Sequence, residues 1–325
     1  MTAPGTNESK KPMQAPRVIV AFCTYKRVER LPGLVEALRA QVCDEPFEIL
    51  AIDNNSPDGT PEVLHRLSAQ GGPPLRHVTE AQQGIVPARN RLLAEAAGAH
   101  FLLMLDDDEL PLPGWVQSGL TALRDDGLDC VGGRVWVKFD PHPCPRWLGP
   151  DLMGFLAEVD HGDQPFTIMD ASTPIWTANV GYRTSLFRNG LQFDSRYSRV
   201  GKDVGGGEDV VMFENLLSLG GRMGYRPDMV VEHFVEPWRL HRGYFLRLHY
   251  SSGVRAGLYT TDVSGRSLFG VPLYLFPQTI RQAWRTINVA ATDGRHWLRQ
   301  AMNFSHACGR IVGTHRRARA GSLAP

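Results

Sequence analysis

The sequence predicts an α/β fold with a mostly parallel central sheet flanked by helices, and three observations carry that reading. Apolar runs of strand length alternate with segments of helical periodicity from residue 17 onward. Several of those runs are apolar at consecutive positions, the mark of strands covered by helices on both faces. The run FLLML, residues 101–105, leads straight into Asp106, Asp107, Asp108 and Glu109. In open α/β sheets the crevice beyond the carboxyl ends of the strands is the usual place for a ligand.

Taken in order, RVIVAFCTYKR reads as the first strand and ERLPGLVEALRAQ as a helix, with Leu31, Leu34, Val35 and Leu38 at helical spacing. FEILAIDNNS is the second strand, ending in Asp53, Asn54 and Asn55, and PEVLHRLSAQ is a helix with proline in its first turn. LRHVTE is a short strand and PARNRLLAEAAG a helix stopped by Gly98, with Arg89 and Asn90 near its start; HFLLML follows. A helix from Trp115 to about Asp126 leads to the strand DCVGGRVWVKF. From Asp140 to Asp170 prolines accumulate, which suits a long surface excursion. WTANVGYRTSLF restores strand character, and GKDVGGGEDVVMFENLLSLGG reads as a glycine loop feeding a helix whose Val210, Phe213 and Leu217 share a face. DMVVEHF is the last strand, with His233 at its end. WRLHRGYFLRLHY then opens a basic, aromatic region, and FGVPLYLFPQTIRQAW adds an apolar patch broken by Pro272 and Pro277. Residues 1–16 read as a disordered lead and THRRARAGSLAP as a disordered tail.

Composition excludes several classes. The hydrophobic and charged fractions, 42% and 21%, are those of a globular chain, and a net charge of +1 gives no footprint for nucleic acid. No run approaches the roughly 18 apolar residues of a membrane-spanning helix. Five scattered cysteines without CxxC spacing argue against a disulfide framework or a structural zinc, and a reducing cytoplasm is the expected home. GxGxxG after the first strand, GxxxxGK[ST] and GxSxG are all missing.

The acids are the candidates for chemistry. Alternation along an extended segment would put Asp106 and Asp108 on one side and Asp107 on the other. Two carboxylates about 4 Å apart repel by roughly 1 kcal/mol even in water. A cation relieves this, and few hard oxygen ligands suit Mg²⁺ or Mn²⁺ shared with a phosphate; the plainer alternative is a solvated acidic turn. Glu208 and Asp209 stand at a helix start, where acids cap free N–H groups. A carboxylate on a glycine loop can also act as a general base. His233, alone, is a half-buried histidine or a ligand. Asp53 with Asn54 can make an Asx turn that needs no ligand. The basic aromatic stretch 238–258 can pack, bind a diphosphate, or lie on an anionic membrane.

VIVAFCTYKR, ILAIDNNSPDGT, GIVPARNRLLAEAAG, LLMLDDDELPLPGW and GGGEDVVMFENLLSLGG, in this order and spacing, resemble the family-2 glycosyltransferases of GT-A fold over residues 17–239. The resemblance implies an inverting transferase that moves a sugar from a nucleotide diphosphate to an acceptor hydroxyl with a divalent cation, Mn²⁺ or Mg²⁺. By position, Thr24, Tyr25, Asp53 and Asn54 would cradle the nucleoside and Arg89 would lie near the nucleotide. DDD would be the DXD element, with Asp107 on the ribose side, Asp108 on the metal and Asp106 in support. Asp209 of the pair Glu208–Asp209 would be the base, and His233 matches a further metal ligand. Many relatives have two acids after the second strand, whereas Asn54 follows Asp53 here. Three segments are expected: the lead over 1–16, a GT-A catalytic domain over 17–239 with a nucleotide half (17–115) and an acceptor half (116–239), and a helical extension over 240–325 with a disordered tail. The expected acceptor is a glycan, a lipid-linked sugar or a small molecule, with a peripheral contact at the inner face of the membrane.

Overall fold

The computed structural model describes residues 17–200, 204–294 and 296–321. The expected lead over 1–16 lies outside them, as do residues 201–203 of the glycine loop and the last four of the tail. Through residue 234 the elements run β1 (Val18–Thr24), α1 (Leu31–Arg39), β2 (Phe47–Asp53), α2 (Thr60–Ser68), β3 (Leu75–Thr79), α3 (Ile85–Ala96), β4 (Phe101–Leu105), β5 (Glu109–Pro111), α4 (Trp115–Arg124), β6 (Cys130–Lys138), α5 (Pro150–Met153), β7 (Phe166–Ile168), β8 (Asn179–Arg183), α6 (Glu208–Ser218) and β9 (Met223–Phe234). The extension adds α7 (Arg242–Arg255), the two-strand hairpin β10 (Ser267–Leu268) and β11 (Val271–Pro272), α8 (Leu275–Thr292) and α9 (Trp297–Gly321).

The main sheet has the order β3-β2-β1-β4-β8-β6-β9-β5, with β7 on β9. From β3 to β4 it is parallel, as the alternation of strand and helix predicts. Beyond β4 it becomes mixed: β8 enters antiparallel between β4 and β6, and β5 and β7 run antiparallel to β9. Helices cover both faces, so successive residues of a strand serve different cores. Val18, Val20 and Phe22 of β1 join Ile49 and Leu103 on one face with α1, α2 and α4. Ile19 and Ala21 join Leu50, Ile52 and Leu102 on the other, with α3 and α6. A helix-covered strand is therefore apolar throughout, and at about 1.5–3 kcal/mol per fully buried large aliphatic side chain this double burial dominates the stability of the sheet.

The α1 prediction holds residue by residue: Leu31, Leu34, Val35 and Leu38 are all buried. In α6 the buried face is Met212, Phe213 and Leu216, with Val210 and Leu217 only partly covered. Burying Glu208 at the helix start rotates that face by about a third of a turn from the expected one. The proline-rich excursion packs rather than floats: Leu148, Leu152 and Leu156 form a third core with Tyr244 and Phe245 of α7 and Met302 of α9. The basic aromatic stretch is thus a packed helix, not a free amphipathic one. The expected disordered tail is also corrected, because residues 314–321 continue α9 and Thr314 is fully buried.

The reason is the way α7 meets α9. A Cβ on Gly309 would lie 2.2 Å from the Tyr250 carbonyl oxygen, and one on Gly313 2.0 Å from that of Val254. From the other side, a Cβ on Gly253 would lie 2.1 Å from the His306 carbonyl oxygen. The helices cross backbone against backbone, and only glycine allows it. Gly309→Val is expected to lower the unfolding free energy by about 3 kcal/mol or more through overpacking. Gly243→Ala, in the same α7 but with nothing within 4 Å of the new methyl, should be neutral or stabilising by up to about 1 kcal/mol. Equal denaturation midpoints for the two variants would contradict the crossing.

Candidate active site

The carboxyl ends of β1, β2 and β4 meet in one place. β1 and β2 pair from Val18↔Phe47 to Thr24↔Asp53 and so end level. Asp53 is buried, and its carboxylate accepts the Ser56 N–H at 3.1 Å. The Asn54 amide donates to the Glu80 and Gln82 carbonyls at 3.2 and 2.7 Å, and its oxygen accepts the Gly84 N–H at 2.8 Å. Both side chains are therefore joints of the surrounding loops. The first turn is braced against them: Lys26 N–H donates to Ser56 Oγ at 3.0 Å, and Arg27 N–H to Thr60 Oγ1 at 3.3 Å.

β4 stops at Leu105, and Asp106–Asp108 form a turn. The expected alternation therefore fails, and Asp106 and Asp108 do not share a partner. Asp106 accepts from Arg89 Nη2 at 3.0 Å. Asp107 accepts from the Tyr25 N–H and from Arg27 Nε, each at 3.4 Å. Asp108 Oδ2 faces His233 Nε2 at 3.6 Å. Burial pushes the Asp107 carboxyl up to about 7 against the pull of Arg27, with the Asp108 charge adding to the push. Burial also opposes ionisation of Asp108, but His233, Arg239 and Arg27 outweigh it and hold that carboxyl well below the usual range. Glu109 is buried among these charges and pushed well above its ordinary value, first by burial and then by Asp106 and Asp108.

His233 arrives through the sheet. β5, only three residues long, pairs with β9 in the register Glu109↔His233, so the end of the last strand lies beside the acidic turn. His233 Nε2 also lies 3.2 Å from Arg239 Nη1. A guanidinium can only donate, so this contact is a hydrogen bond in the neutral tautomer that carries its proton on Nδ1, whereas Asp108 on the other side favours a proton on Nε2. A cation held by the Nε2 lone pair of the neutral ring and by the Asp108 carboxylate would take the place of both contacts. Carboxylate with imidazole is a donor set suited to a divalent transition ion. Among the described residues no three His, Cys, Asp or Glu side chains cluster to hold a metal. Asp108 and His233 would thus be a two-ligand site, open to substrate oxygens.

The second acidic pair is joined to the first. Glu208, at the start of α6, is buried and accepts from Arg89 Nη1 at 2.7 Å. Arg89 is itself buried, with its guanidinium over the Phe193 ring, 5.7 Å from the centroid. Expected beside the nucleotide, that guanidinium is committed to two carboxylates. Asp209 is freer: one oxygen accepts the Val210 N–H at 2.8 Å, and the residue is only partly buried. Burial and the Glu208 charge push its carboxyl up to about 6, while Arg89 pulls the other way. Among the described residues, the buried side-chain atoms without a hydrogen-bond partner are Arg39 Nε and four at this site: Thr24 Oγ1, Glu109 Oε1, Glu208 Oε2 and His233 Nδ1. Buried polar groups are nearly always paired, so their concentration here marks a place built for something else.

Sequence reasoning missed Arg27 and Glu236, and it took in Arg239 only as part of the basic aromatic stretch 238–258. Glu236 accepts from both Arg27 and the Trp238 indole, which ties the first turn to the segment after β9. No local spacing could reveal a pairing between residues so far apart in the chain. Arg255, at the end of α7, explains one glycine of the loop: a Cβ on Gly205 would sit 2.2 Å from Arg255 Nη1.

The profile of Glycosyl transferase family 2 matches residues 19–190, more than half of the sequence. The chain belongs to that family. A glycosyltransferase of Haloferax volcanii, AglE, is 31% identical over 121 residues, 37% of this chain and 40% of that protein. The family 2 chain spans 40% or less of the length of the curated relatives it matches. Among solved structures, the mannosyltransferase PcManGT of Pyrobaculum calidifontis, in complex with GDP-Man and Mn²⁺, aligns with a TM-score of 0.55 at 18% identity, over 99% of this chain and 80% of its own. GalNAc-T7 with UDP, GalNAc and Mn²⁺ aligns at 0.53 and 13%, over 77% of this chain and 52% of its own. These likenesses establish the GT-A fold.

Arg89→Met would leave the buried Glu208 carboxylate without its counter-charge, which is expected to lower stability by about 3–5 kcal/mol. Arg89→Met with Glu208→Met should recover most of that loss, since neither charge of the buried pair remains and Asp106 is partly exposed. Chemical denaturation of the single and double variants checks this, and a double variant no more stable than the single would refute the pairing.

Proposed function

We propose that this chain is a metal-dependent, inverting glycosyltransferase that passes a sugar from a nucleotide-diphosphate donor to an acceptor hydroxyl. The observation that carries this reading is the Arg89 clamp, which joins the turn bearing Asp107 and Asp108 to the helix start bearing Asp209. Residues 17–115 would supply the donor side, 116–239 the acceptor side, and the rest a helical extension. The Mn²⁺ and nucleotides bound by PcManGT and GalNAc-T7 support the cofactor and donor class. Asp108 and His233 would hold the cation, which when bound would supply Lewis-acid stabilisation of charge developing on the leaving diphosphate.

The residues then divide the work. Tyr25 and Asp107 face the donor, while Asp53 and Asn54 keep the surrounding loops in place. Asp209 takes the proton of the acceptor hydroxyl as its oxygen bonds to the anomeric carbon. The bond from that carbon to the diphosphate oxygen breaks on the opposite side, so the configuration inverts. Glu208 acts as a positioning residue rather than a base, because its charge is paired with Arg89. The glycine loop preceding α6 would close over the bound donor and exclude water. The acceptor is a glycan, a lipid-linked sugar or a small hydroxylated molecule.

The base must be ionised to accept a proton, so kcat/KM should rise with pH through about 6, the value to which Asp209 is pushed, and fall about tenfold per unit below it. Asp209→Asn should remove that limb and lower turnover by about 10²–10⁴ while donor binding persists. A variant with near-normal turnover would overturn the assignment. With GDP, UDP or dTDP at 100 times the dissociation constant, Mn²⁺ present should add about 2.7 kcal/mol of stability. Asp108→Asn should lose the Mn²⁺-dependent part of that gain, and stabilisation unaffected by chelation would remove the metal from the proposal.

A further inference from the structure

The last 86 residues, 240–325, contain twelve arginines, no lysine and only two acids, Asp262 and Asp293. Their net charge is +10, so with +1 for the whole chain the first 239 residues carry −9. No helix of the described residues is long and apolar enough to cross a membrane. Within this basic region α8 is inside out. A surface helix normally turns its apolar stripe to the protein. Here the contact with α9 is polar: Gln300 Nε2 donates to Gln282 Oε1 at 2.7 Å, and Thr286 Oγ1 to the Gln300 carbonyl at 3.3 Å. The solvent side carries Ile280, Trp284 and Ile287, which are 69%, 65% and 70% exposed. Their spacing of four and three residues aligns them in one stripe. Arg281 and Arg285 lie along one side of the stripe, exposed and without an ion pair or hydrogen bond among the described residues.

The hairpin before α8 extends this face. Its two-residue turn is Phe269–Gly270, with φ of 52° and 75°. Such turns favour asparagine, aspartate or glycine at the first position, because a bulky side chain is strained in the left-handed region. Phe269 stands there nonetheless and is 79% exposed. Strain retained by an exposed aromatic group at a loop tip points to a role for that group outside the fold. Behind the tip, Leu268, Phe269, Val271 and Phe276 meet Ile311 and Val312 of α9 around an apolar groove of about 260 Å³. Phe276 lies one turn from Ile280, so groove and stripe are continuous.

We infer that the outer face of α8 and the tip of the β10–β11 hairpin form a docking surface for an anionic lipid bilayer. Charge selects this occupant. Apolar side chains with a tryptophan, bordered on one side by unpaired arginines on a region of net +10, fit an acidic headgroup layer over an acyl interior. A second copy would instead have to bring two such basic faces together. The inference concerns the extension and does not require the donor or metal assignment.

Sedimentation of the full chain with extruded vesicles tests it. Vesicles of phosphatidylcholine with 30% phosphatidylglycerol, taken as roughly the anionic content of such a surface, should capture the protein. Pure phosphatidylcholine, or raising the salt to about 0.5 M, should weaken capture at least tenfold. Trp284→Glu with Ile287→Glu should also lose at least tenfold in partition, and Phe269→Asn should lose part while raising the melting temperature by relieving the turn. Nucleotide-dependent thermal stabilisation should stay unchanged in all three substitutions, which separates this surface from the catalytic site. No partition of the wild-type chain into anionic vesicles would overturn the inference. So would light scattering that shows a dimer dissociated by the same substitutions, which would assign the face to a second copy.

Discussion

The buried guanidinium of Arg89 is the constraint on which the rest of the site depends. It comes from α3, and it holds Asp106 at the end of β4 and Glu208 at the start of α6. A buried pair such as Arg89–Glu208 is seldom a source of net stability in itself, because desolvating the two charges offsets most of their attraction, while Asp106 stays partly exposed. What it supplies is position. α3 and α6 pack on the same face of the sheet and share its core, and the triad sets how their ends approach the acidic turn. Removing the Arg89 charge strands the Glu208 carboxylate in a low-dielectric setting, so the spacing is enforced by the penalty for breaking that pair. Asp209, next in the chain to Glu208, inherits that position while keeping its own carboxylate available.

The mixed half of the sheet has a comparable purpose. A parallel βαβ series delivers the ends of its strands to one edge, but it could not bring a residue of β9 beside the turn after β4 without a pairing across it. β5 provides that pairing within three residues, in the register Glu109↔His233. The cost is irregularity elsewhere. The β6–β9 register shifts between Gly133 and Arg134, where Asn179 fills the gap by donating to the Arg134 and Met229 carbonyls at 2.9 and 2.7 Å. The Trp115 indole donates to the same amide's oxygen at 2.8 Å. One asparagine thus repairs the sheet interior at the point where the strands part, giving the Arg134 and Met229 carbonyls a partner.

What was legible in the sequence follows from which forces are local. β1, β2 and α1 could be read because burial on a helix or strand leaves a period, and the acidic turn because four acids after an apolar run are conspicuous. Alternation misplaced Asp106 and Asp108 because it assumes an extended chain, and β4 ends one residue earlier. The bonds of Asn54 to Glu80, Gln82 and Gly84 could not be seen from spacing, because their partners lie in a loop that only the fold brings near. The tail read as disordered because Arg316, Arg317 and Arg319 lower its apparent hydrophobicity. Its order comes from glycines that let α9 lie against α7, a tertiary contact with no signature in composition.

That same contact makes the extension part of the catalytic body. α8 rests on α9, α9 meets α7 through Gly309 and Gly313, and α7 shares a core with Leu148, Leu152 and Val235. At its far end α7 presents Arg255 to Gly205, two residues before the αL glycine that starts α6. Arg255 is a half-buried cation whose proton affinity is lowered by burial and by Arg199 and raised by Glu208 and Asp209. A guanidinium desolvated in this way is tolerated only because carboxylates lie near it. The acidic start of α6 thus helps to hold the basic extension, just as the extension helps to shape the loop that leads to Asp209. Opposite net charges in the two parts of the chain therefore meet where the proposed base stands, and a surface that captures α8 would fix the orientation of the whole catalytic sheet with it.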